Sequence, residues 1–314
     1  MNNTRYGTFM AAFSFVIWGL LPIYYRYLPN ASMDELLAWR IIGSVPVGFL
    51  IVLGITRRGL NWKEIWLDKK SLWYTFVASS LMCISWSAFT WALTHHRVID
   101  ASLGFFIGPL VSVALGVFII GPLVSVALGV FILGDRLSKG KLIAIVLATI
   151  GVMYQVIHYG QLPVIALTMG LFFALYGLYK KKINYDWSTT LFVEALLLTP
   201  VALAYLLYKQ WATGELASGT DTTTLLLYFG SAPITLLPLV FYSIAIRITN
   251  LSTVGLMQYI EPSLQFVLAV MFFGELFDEV KAVTFAFIWV GLLFTIFESI
   301  IKGHRRKKLV KHPL

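Results

Sequence analysis

Apolar stretches about twenty residues long recur from one end of this 314-residue chain to the other, and that recurrence restricts the fold more than any other feature. A helix rises about 1.5 Å per residue, so roughly 20 apolar residues cross a hydrocarbon core of about 30 Å. With 59% of residues hydrophobic and 12% charged, the chain is expected to be an all-α integral membrane protein rather than an aqueous domain. Charged and turn-forming breaks divide it into ten predicted spans, near residues 7–28, 34–56, 71–94, 98–133, 140–157, 161–179, 187–208, 224–246, 251–273 and 280–301. The first runs into Tyr24, Tyr25 and Arg26 with no small-residue cleavage site, so it reads as a retained helix and not a signal peptide.

The basic residues are sorted by loop. With the N-terminus placed in the cytoplasm, 19 of the 24 fall in cytoplasmic segments, including Lys69, Lys70, Lys180 to Lys182, Arg247 and the tail GHRRKKLVKH. Four fall outside (Arg26, Arg97, Lys209 and Lys281), and Arg40 lies within a span. The positive-inside rule then predicts that both termini are cytoplasmic. The net charge of +9 therefore serves topology, and no nucleic-acid partner is expected. Cys83, the only cysteine, excludes an intramolecular disulfide or a cysteine-based metal site, and reads as a small packed hydrophobe.

Two repeats are present. A shift of 140 residues superposes Ile120, Pro122, Gly134, Asp135, Lys141 and Gly151 on Ile260, Pro262, Gly274, Glu275, Lys281 and Gly291 without a gap. FVIWGL ending at Leu20 matches FALYGL ending at Leu178, and Arg40 with Pro46 has the spacing of Glu194 with Pro200. Halves of five spans each enter the membrane from opposite sides, which predicts two inverted repeats with a binding site near the midplane between them. The second repeat is of another kind: IGPLVSVALGVFI at 107–119 recurs at once at 120–132. As one helix, residues 101–133 would extend about 50 Å, so the fourth span is expected to be overlong or looped, with transport impaired.

Several stretches carry a family resemblance: FVIWGL at 15–20, ASLGFFIGPLV at 101–111, FALYGLYKKKI at 173–183, LSTVGLMQYIEPSLQFVLAVMFFGE at 251–275 and TFAFIWVGL at 284–292. They are similar to the EamA branch of the drug/metabolite transporter superfamily, and they spread over nearly the whole chain. The resemblance implies a ten-helix fold in the bacterial inner membrane, with both termini cytoplasmic. It also implies a first EamA-like half at 1–157, which holds the tandem duplication, a second at 158–301 and a basic tail at 302–314.

Ionisable groups at membrane depth cost roughly 2.5–3.5 kcal/mol on insertion scales, so their presence hints at function. Glu194, Glu261 and Arg40 stand at such depths. Gln258, Glu261 and Gln265 are spaced by three and four, which forms one polar stripe on a helix expected to face the bundle interior. The stripe either lines a central cavity, with Pro262 loosening the helix, or holds neighbouring helices together by hydrogen bonds. Glu194 either couples protons or binds a cationic solute, or it is held in a static pair with Arg40, its counterpart by repeat position. Trp18, Tyr176, Trp86 and Tyr259 could stack on a flat or cationic substrate, although most aromatics of such a chain face lipid.

Other features read as structural. His95 and His96 are adjacent on a helix, do not share a face, and are not expected to hold a metal. Asp100 with Ser102 reads as a helix start, and Gly104 with Gly108, like Ala166, Gly170 and Ala174, as close helix packing. GDRLSKGKL from Gly134 has one residue too many between its glycines for a phosphate loop and lacks the following Ser or Thr, which argues against an ATP-driven pump. The expected function is secondary transport of a small metabolite or drug-like solute. The alternatives are an integral-membrane enzyme, for which no clustered acidic motif is present, and a channel or structural membrane protein. The expected partners are a small-molecule substrate and membrane lipids, with no cofactor; a homodimer is compatible with the sequence without being required by it.

Overall fold

The computed structural model describes residues 3–25, 27, 32–56, 60–96, 121–159, 164–219, 221–272 and 279–311, and the regular elements among them are helical. In chain order these are α1 (Asn3–Tyr25), α2 (Met33–Thr56), α3 (Trp62–Leu67), α4 (Lys69–His96), α5 (Gly121–Phe131) and α6 (Lys139–Tyr159). They continue with α7 (Val164–Lys180), α8 (Trp187–Thr213), α9 (Thr222–Ile248), α10 (Leu251–Met257), α11 (Ile260–Phe272) and α12 (Glu279–Lys311). Six are long and apolar enough to cross a membrane: α1, α2, α6, α8, α9, and α10 with α11 taken together. Shorter apolar helices lie at Gly121–Phe131 and Ala282–Glu298. Large apolar side chains such as Leu50, Leu207, Met271 and Phe297 are mostly exposed on the outside of the bundle, where a lipid environment suits them.

Local chemistry sets the helix ends. Asp186 accepts from the backbone N–H groups of Ser188 and Thr189 and starts α8; Gly214, at φ 75°, ends it in the left-handed conformation that glycine adopts without strain. Asp221 starts α9 by accepting from Thr224 at 2.8 Å. Pro262 has no N–H to give to the carbonyl of Gln258, four residues earlier. That carbonyl instead accepts from Glu261 N at 3.3 Å, and Tyr259 N reaches back only three residues to Leu256 O at 3.3 Å. The loosening expected at Pro262 therefore takes the form of a break at Gln258–Tyr259 that separates α10 from α11. Two further features were not foreseen: the short helix α3, and the continuation of α12 through the basic tail to Lys311.

The helices pack in pairs: α1 against α9 and α11, α2 against α8 and α9, α4 against α7 and α8, and α6 against α12. The α6–α12 seam is close. A Cβ on Gly291 would stand 2.9 Å from Ala144 Cα, and one on Gly151 would stand 3.0 Å from Thr284 O. Without a hydrophobic drive between helices in lipid, such backbone approach supplies much of the association through dispersion contacts.

Polar bonds lace one end of the bundle together. Asp135 Oδ2 accepts from Ser252 N at 2.9 Å, and Lys141 Nζ donates to Thr253 Oγ1 at 2.6 Å. Lys181 Nζ donates to the carbonyls of Ile246 and Thr249 at 2.8 and 2.7 Å, and Arg247 donates to Tyr185 O and Thr190 Oγ1. Burial holds the Lys181 ammonium below the usual lysine pKa, with Asp135 opposing the shift. Asp68, between α3 and α4, accepts from Ser71 N and Asn184 Nδ2; its bonds to Ser71, then to Asn184, hold its carboxyl below the usual range. At the other end Lys209 reaches Asp34 at 2.5 Å and Glu35 at 3.0 Å, and Glu35 accepts from Ala217 N and Ser218 N, both at 3.0 Å.

The first copy of the duplicated motif, the expected overlength of the fourth span, and Arg97, Asp100, Ser102, Gly104, Gly108, Gly274 and Glu275 lie outside the described residues. The second copy forms α5, where Pro122 O and Ser125 Cβ lie closest to Gly255 of α10.

The close seam yields a test. Gly291→Ala forces α6 from α12 and is expected to cost about 1–3 kcal/mol, read as a lower unfolding temperature of the purified protein. Gly54→Ala, whose Cβ would meet nothing within 4 Å, should not lower that temperature.

Candidate solute-binding site

A cavity of about 50 Å³ lies between α2, α4, α7, α8 and α9. Helical periodicity builds its walls: Arg40, Ile41 and Ser44 from α2, Ser79, Met82 and Trp86 from α4, and Leu191, Glu194, Ala195 and Leu198 from α8 are spaced by three and four and share one face of each helix. Tyr176 of α7 and Leu236 and Leu239 of α9 complete the lining.

Glu194 is 8% exposed, and its partner is Lys180, not Arg40. The Lys180 Nζ lies 2.7 Å from both carboxylate oxygens, and Tyr176 Oη donates to Oε2 at 3.3 Å. The reason is local. Tyr176 and Lys180 stand four apart at the end of α7, so both face Glu194 across the short turn into α8. Arg40 instead lies over the ring of Trp86, 3.8 Å from its centroid. Lys180 is 1% exposed, so counting it as a loop cation misplaced it; the cation is inside the protein. The signal available in the sequence was a Tyr–Lys pair at i and i+4 closing an apolar helix, just before an intramembrane Glu.

Tyr242 supports this arrangement from α9, stacked on Tyr176 with ring centroids 5.9 Å apart and planes 13° from parallel. Trp18 packs on Tyr242, Phe173 and Phe15, one layer behind Tyr176, so it touches the site through Tyr242. Arg40, Trp86, Tyr176 and Glu194 are thus brought together. Gln258, Tyr259, Glu261 and Gln265 are gathered elsewhere. The three polar residues of the stripe are buried, as their spacing predicts, but Gln258 Oε1 accepts from Ser125 Oγ of α5 at 3.4 Å and Gln265 Nε2 donates to Glu261 Oε1 at 3.4 Å. Tyr259 packs in the apolar cluster of Phe266 and Phe285. Gln258, at the break before Pro262, is thus bonded to α5, while Glu261 and Gln265 bond to each other along α11.

A second, larger chamber of about 460 Å³ lies between α2, α4 and α8, and Ile41 and Leu198 line both spaces. Its walls are mostly apolar, with Asp34 and Tyr205 also present; Tyr205 Oη donates to Asp34. Cys83 lies on this wall and is partly exposed, rather than packed in the core.

The buried pair gives the second test. Lys180→Met strands the Glu194 charge and is expected to cost about 3–5 kcal/mol, whereas adding Glu194→Gln removes the stranded charge. The unfolding temperature of the double variant should lie above that of Lys180→Met alone.

The model of the EamA-like transporter family matches residues 163–297. Protein RarD of Escherichia coli (strain K12) is 35% identical over 309 residues, covering 98% of this chain and 99% of that protein. An uncharacterized transporter of Vibrio cholerae is 34% identical, covering 98% and 97%, and the uncharacterized transporter YojE of Bacillus subtilis (strain 168) is 32% identical, covering 98% of each. A solved crystal structure at 15% identity superposes with a TM-score of 0.65, over 93% of this chain and 96% of the other, which shows a shared fold. Near-complete coverage of relatives at this identity, together with an all-helical bundle of apolar spans, means that the chain belongs to the EamA transporter family as a relative of the RarD proteins.

Proposed function

We propose that this multi-pass bacterial membrane protein is a secondary transporter of the inner membrane. It carries a small metabolite or drug-like solute by alternating access around the Arg40–Glu194 cavity. The observation that carries this reading is the adjacency of two chambers: the larger one shares the lining residues Ile41 and Leu198 with the small cavity that Arg40 and the ion-paired Glu194 also line. Beyond that cavity, the bonds of Asp135, Lys141, Lys181 and Arg247 close one end of the bundle. A path open at one end and sealed at the other is what one state of an alternating carrier requires. The sealed end carries most of the basic residues, so by the positive-inside rule it faces the cytoplasm with both termini.

The fold reads as ten spans in two inverted halves, and the pairing of helices supports this. Let α1, α2, α4, α5 and α6 correspond in order to α7, α8, α9, α10–α11 and α12. The packing of α1 on α9 then maps onto that of α7 on α4, and that of α2 on α9 onto that of α8 on α4. The α2–α8 and α6–α12 seams map onto themselves. Within the last seam, Gly151 meets Thr284 and Gly291 meets Ala144; moving one contact along by the 140-residue repeat yields the other. Reciprocal contact of this kind is the property of a two-fold interface.

Arg40, Trp86, Tyr176 and Glu194 are the proposed solute-contacting residues. Lys180 holds Glu194, Gln258 ties the end of α10 to α5, and Glu261 and Gln265 bond to each other along α11. In reconstituted vesicles, uptake should saturate and should be accelerated by the same solute inside; product formation without flux would instead favour a membrane enzyme. Glu194→Gln should abolish the pH dependence of uptake if this carboxylate couples protons, and unchanged pH dependence ends that idea. Reporter fusions are expected to put both termini on the cytoplasmic face; opposite faces would end the ten-span reading.

A further inference from the structure

We infer that Glu261 and Gln265 form a binding site for a mobile monovalent cation, a proton or a sodium ion, beside the break between α10 and α11. That the cation binds stands without the carrier reading; that it drives solute movement rests on that reading.

The buried acids differ in how their charge is met. Three carboxylates are buried among the described residues: Glu35, Glu194 and Glu261. Lys209 stands 3.0 Å from Glu35, and Lys180 stands 2.7 Å from Glu194. Glu261, 6% exposed, has no basic side chain at ion-pair distance among the described residues. Its partner is the neutral amide of Gln265, whose Nε2 donates to Oε1 at 3.4 Å. A bare carboxylate at such depth lacks the compensation that the other two possess, and a positive charge from outside the chain supplies it.

The packed neighbours do not. α11 packs on α1, and its Phe266 shares an apolar cluster with residues of α5, α6, α10 and α12. α5 and α10 contain no charged side chain. On the other three helices Tyr24 donates to Leu227 O, Lys141 donates to Thr253 Oγ1 and Glu298 accepts from Gly140 N; the remaining described titratable groups there are exposed. Tyr259, next along the chain, packs with Phe266 and Phe285.

The ligand atoms select the class of cation. Gln265 is itself 6% exposed, and its buried Oε1 has no hydrogen-bond partner among the described residues. An amide offers N–H at one end and oxygen at the other. With the carboxylate bare, Nε2 serves it; after a half-turn of the amide, Oε1 accepts from a protonated Glu261 or joins its carboxylate on a sodium ion. Loading takes the proton or ion from water and unloading returns it, with no other bond made or broken. One carboxylate balances one charge, and a divalent ion needs several more hard oxygen ligands. No cluster of three acidic, histidine or cysteine side chains exists among the described residues to hold one.

The backbone is open at the same place. Glu261 N, which would bond to Met257 O in an unbroken helix, bonds to Gln258 O at 3.3 Å. Interrupted spans of this kind coordinate Na+ or H+ in secondary transporters. Gly19 of α1 lies against the turn, since a Cβ there would stand 3.2 Å from Glu261 O, and the adjacent Trp18 packs on Tyr242. α1 thus touches both the cation site and the aromatic residues behind the solute cavity.

Unfolding of the full chain in nanodiscs reads the site, because a ligand of the native state stabilises it by mass action. One arm lowers the pH in sodium-free N-methylglucamine salts; the other adds sodium at fixed pH and ionic strength. The parent is expected to gain stability over Glu261→Gln in one arm, by about a tenfold rise in the folded-to-unfolded ratio per tenfold rise in cation beyond half-loading. A gain in the first arm, lost again as the pH rises, identifies a proton; a gain in the second identifies sodium. Gln265→Met, which lacks both the N–H and the oxygen, should move the half-loading concentration at least about tenfold. Infrared difference spectra between the two ends of the effective arm should show the Glu261 carboxyl bands, absent in Glu261→Gln and displaced in Glu261→Asp. The Asp variant keeps this readout if the Gln variant does not fold. Equal responses of parent and Glu261→Gln in both arms, carboxyl bands that neither substitution changes, or no shift in Gln265→Met would each overturn the inference. Loading without solute counterflow in vesicles sinks the carrier reading and leaves the cation site; counterflow with no loading at Glu261 does the reverse.

Discussion

A carboxylate taken out of water inside an apolar bundle must find its counter-charge within the protein, and Glu194 is where this molecule meets that demand. An unpaired charge at such depth would change the protonation of the group or the fold around it. Lys180 answers with two bonds from its ammonium, and Tyr176 adds a third. Everything nearby is arranged to keep those three atoms in register. Tyr242 stacks on Tyr176, Trp18 and Phe173 pack on Tyr242, and Phe15 packs behind Trp18. The aromatic mass around the pair is thus a scaffold that fixes orientation, and among the described aromatics Trp86 and Tyr176 line the cavity.

The same constraint explains why the two ends of the bundle differ. At one end, backbone groups freed at helix termini are taken up by side chains from other helices: Asp135 caps α10, Glu298 accepts from Gly140 N and Ser138 Oγ, and Lys181 takes the last carbonyls of α9. At the other end the polar bonds are concentrated on one side, among Ser32, Asp34, Glu35, Lys209 and the turn at Ala217–Gly219. The chamber between α2, α4 and α8 opens beside that cluster.

Much of the fold was legible in the chain. Helices make up most of the described part of each expected span because hydrocarbon permits few other ways to satisfy the backbone, so length and hydropathy go far to locate them. The burial of Gln258, Glu261 and Gln265 also followed from spacing alone. The site was legible only in part. Arg40, Trp86, Tyr176 and Glu194, read in the sequence as polar or aromatic groups at depth, line one cavity, but their partners could not be read there. Lys180 was hidden by its neighbours: in a run of three lysines at a helix end, nothing in the order of residues says that the first turns inward while the others face solvent or carbonyls. Cys83 shows the same limit, since an apolar run cannot tell a core position from a chamber wall.

What the sequence determined by itself was the helical membrane class, the places where the chain enters and leaves its apolar segments, the distribution of basic residues and the family. These depend on composition and spacing along one element. What only the tertiary structure decided was which side chains meet: Glu194 with Lys180 in place of Arg40, Arg40 with Trp86, and Gln258 with Ser125 of α5. Periodicity sets which residues share a face, but the rotation of each helix and its choice of neighbours come from packing many helices at once. That information belongs to no single segment.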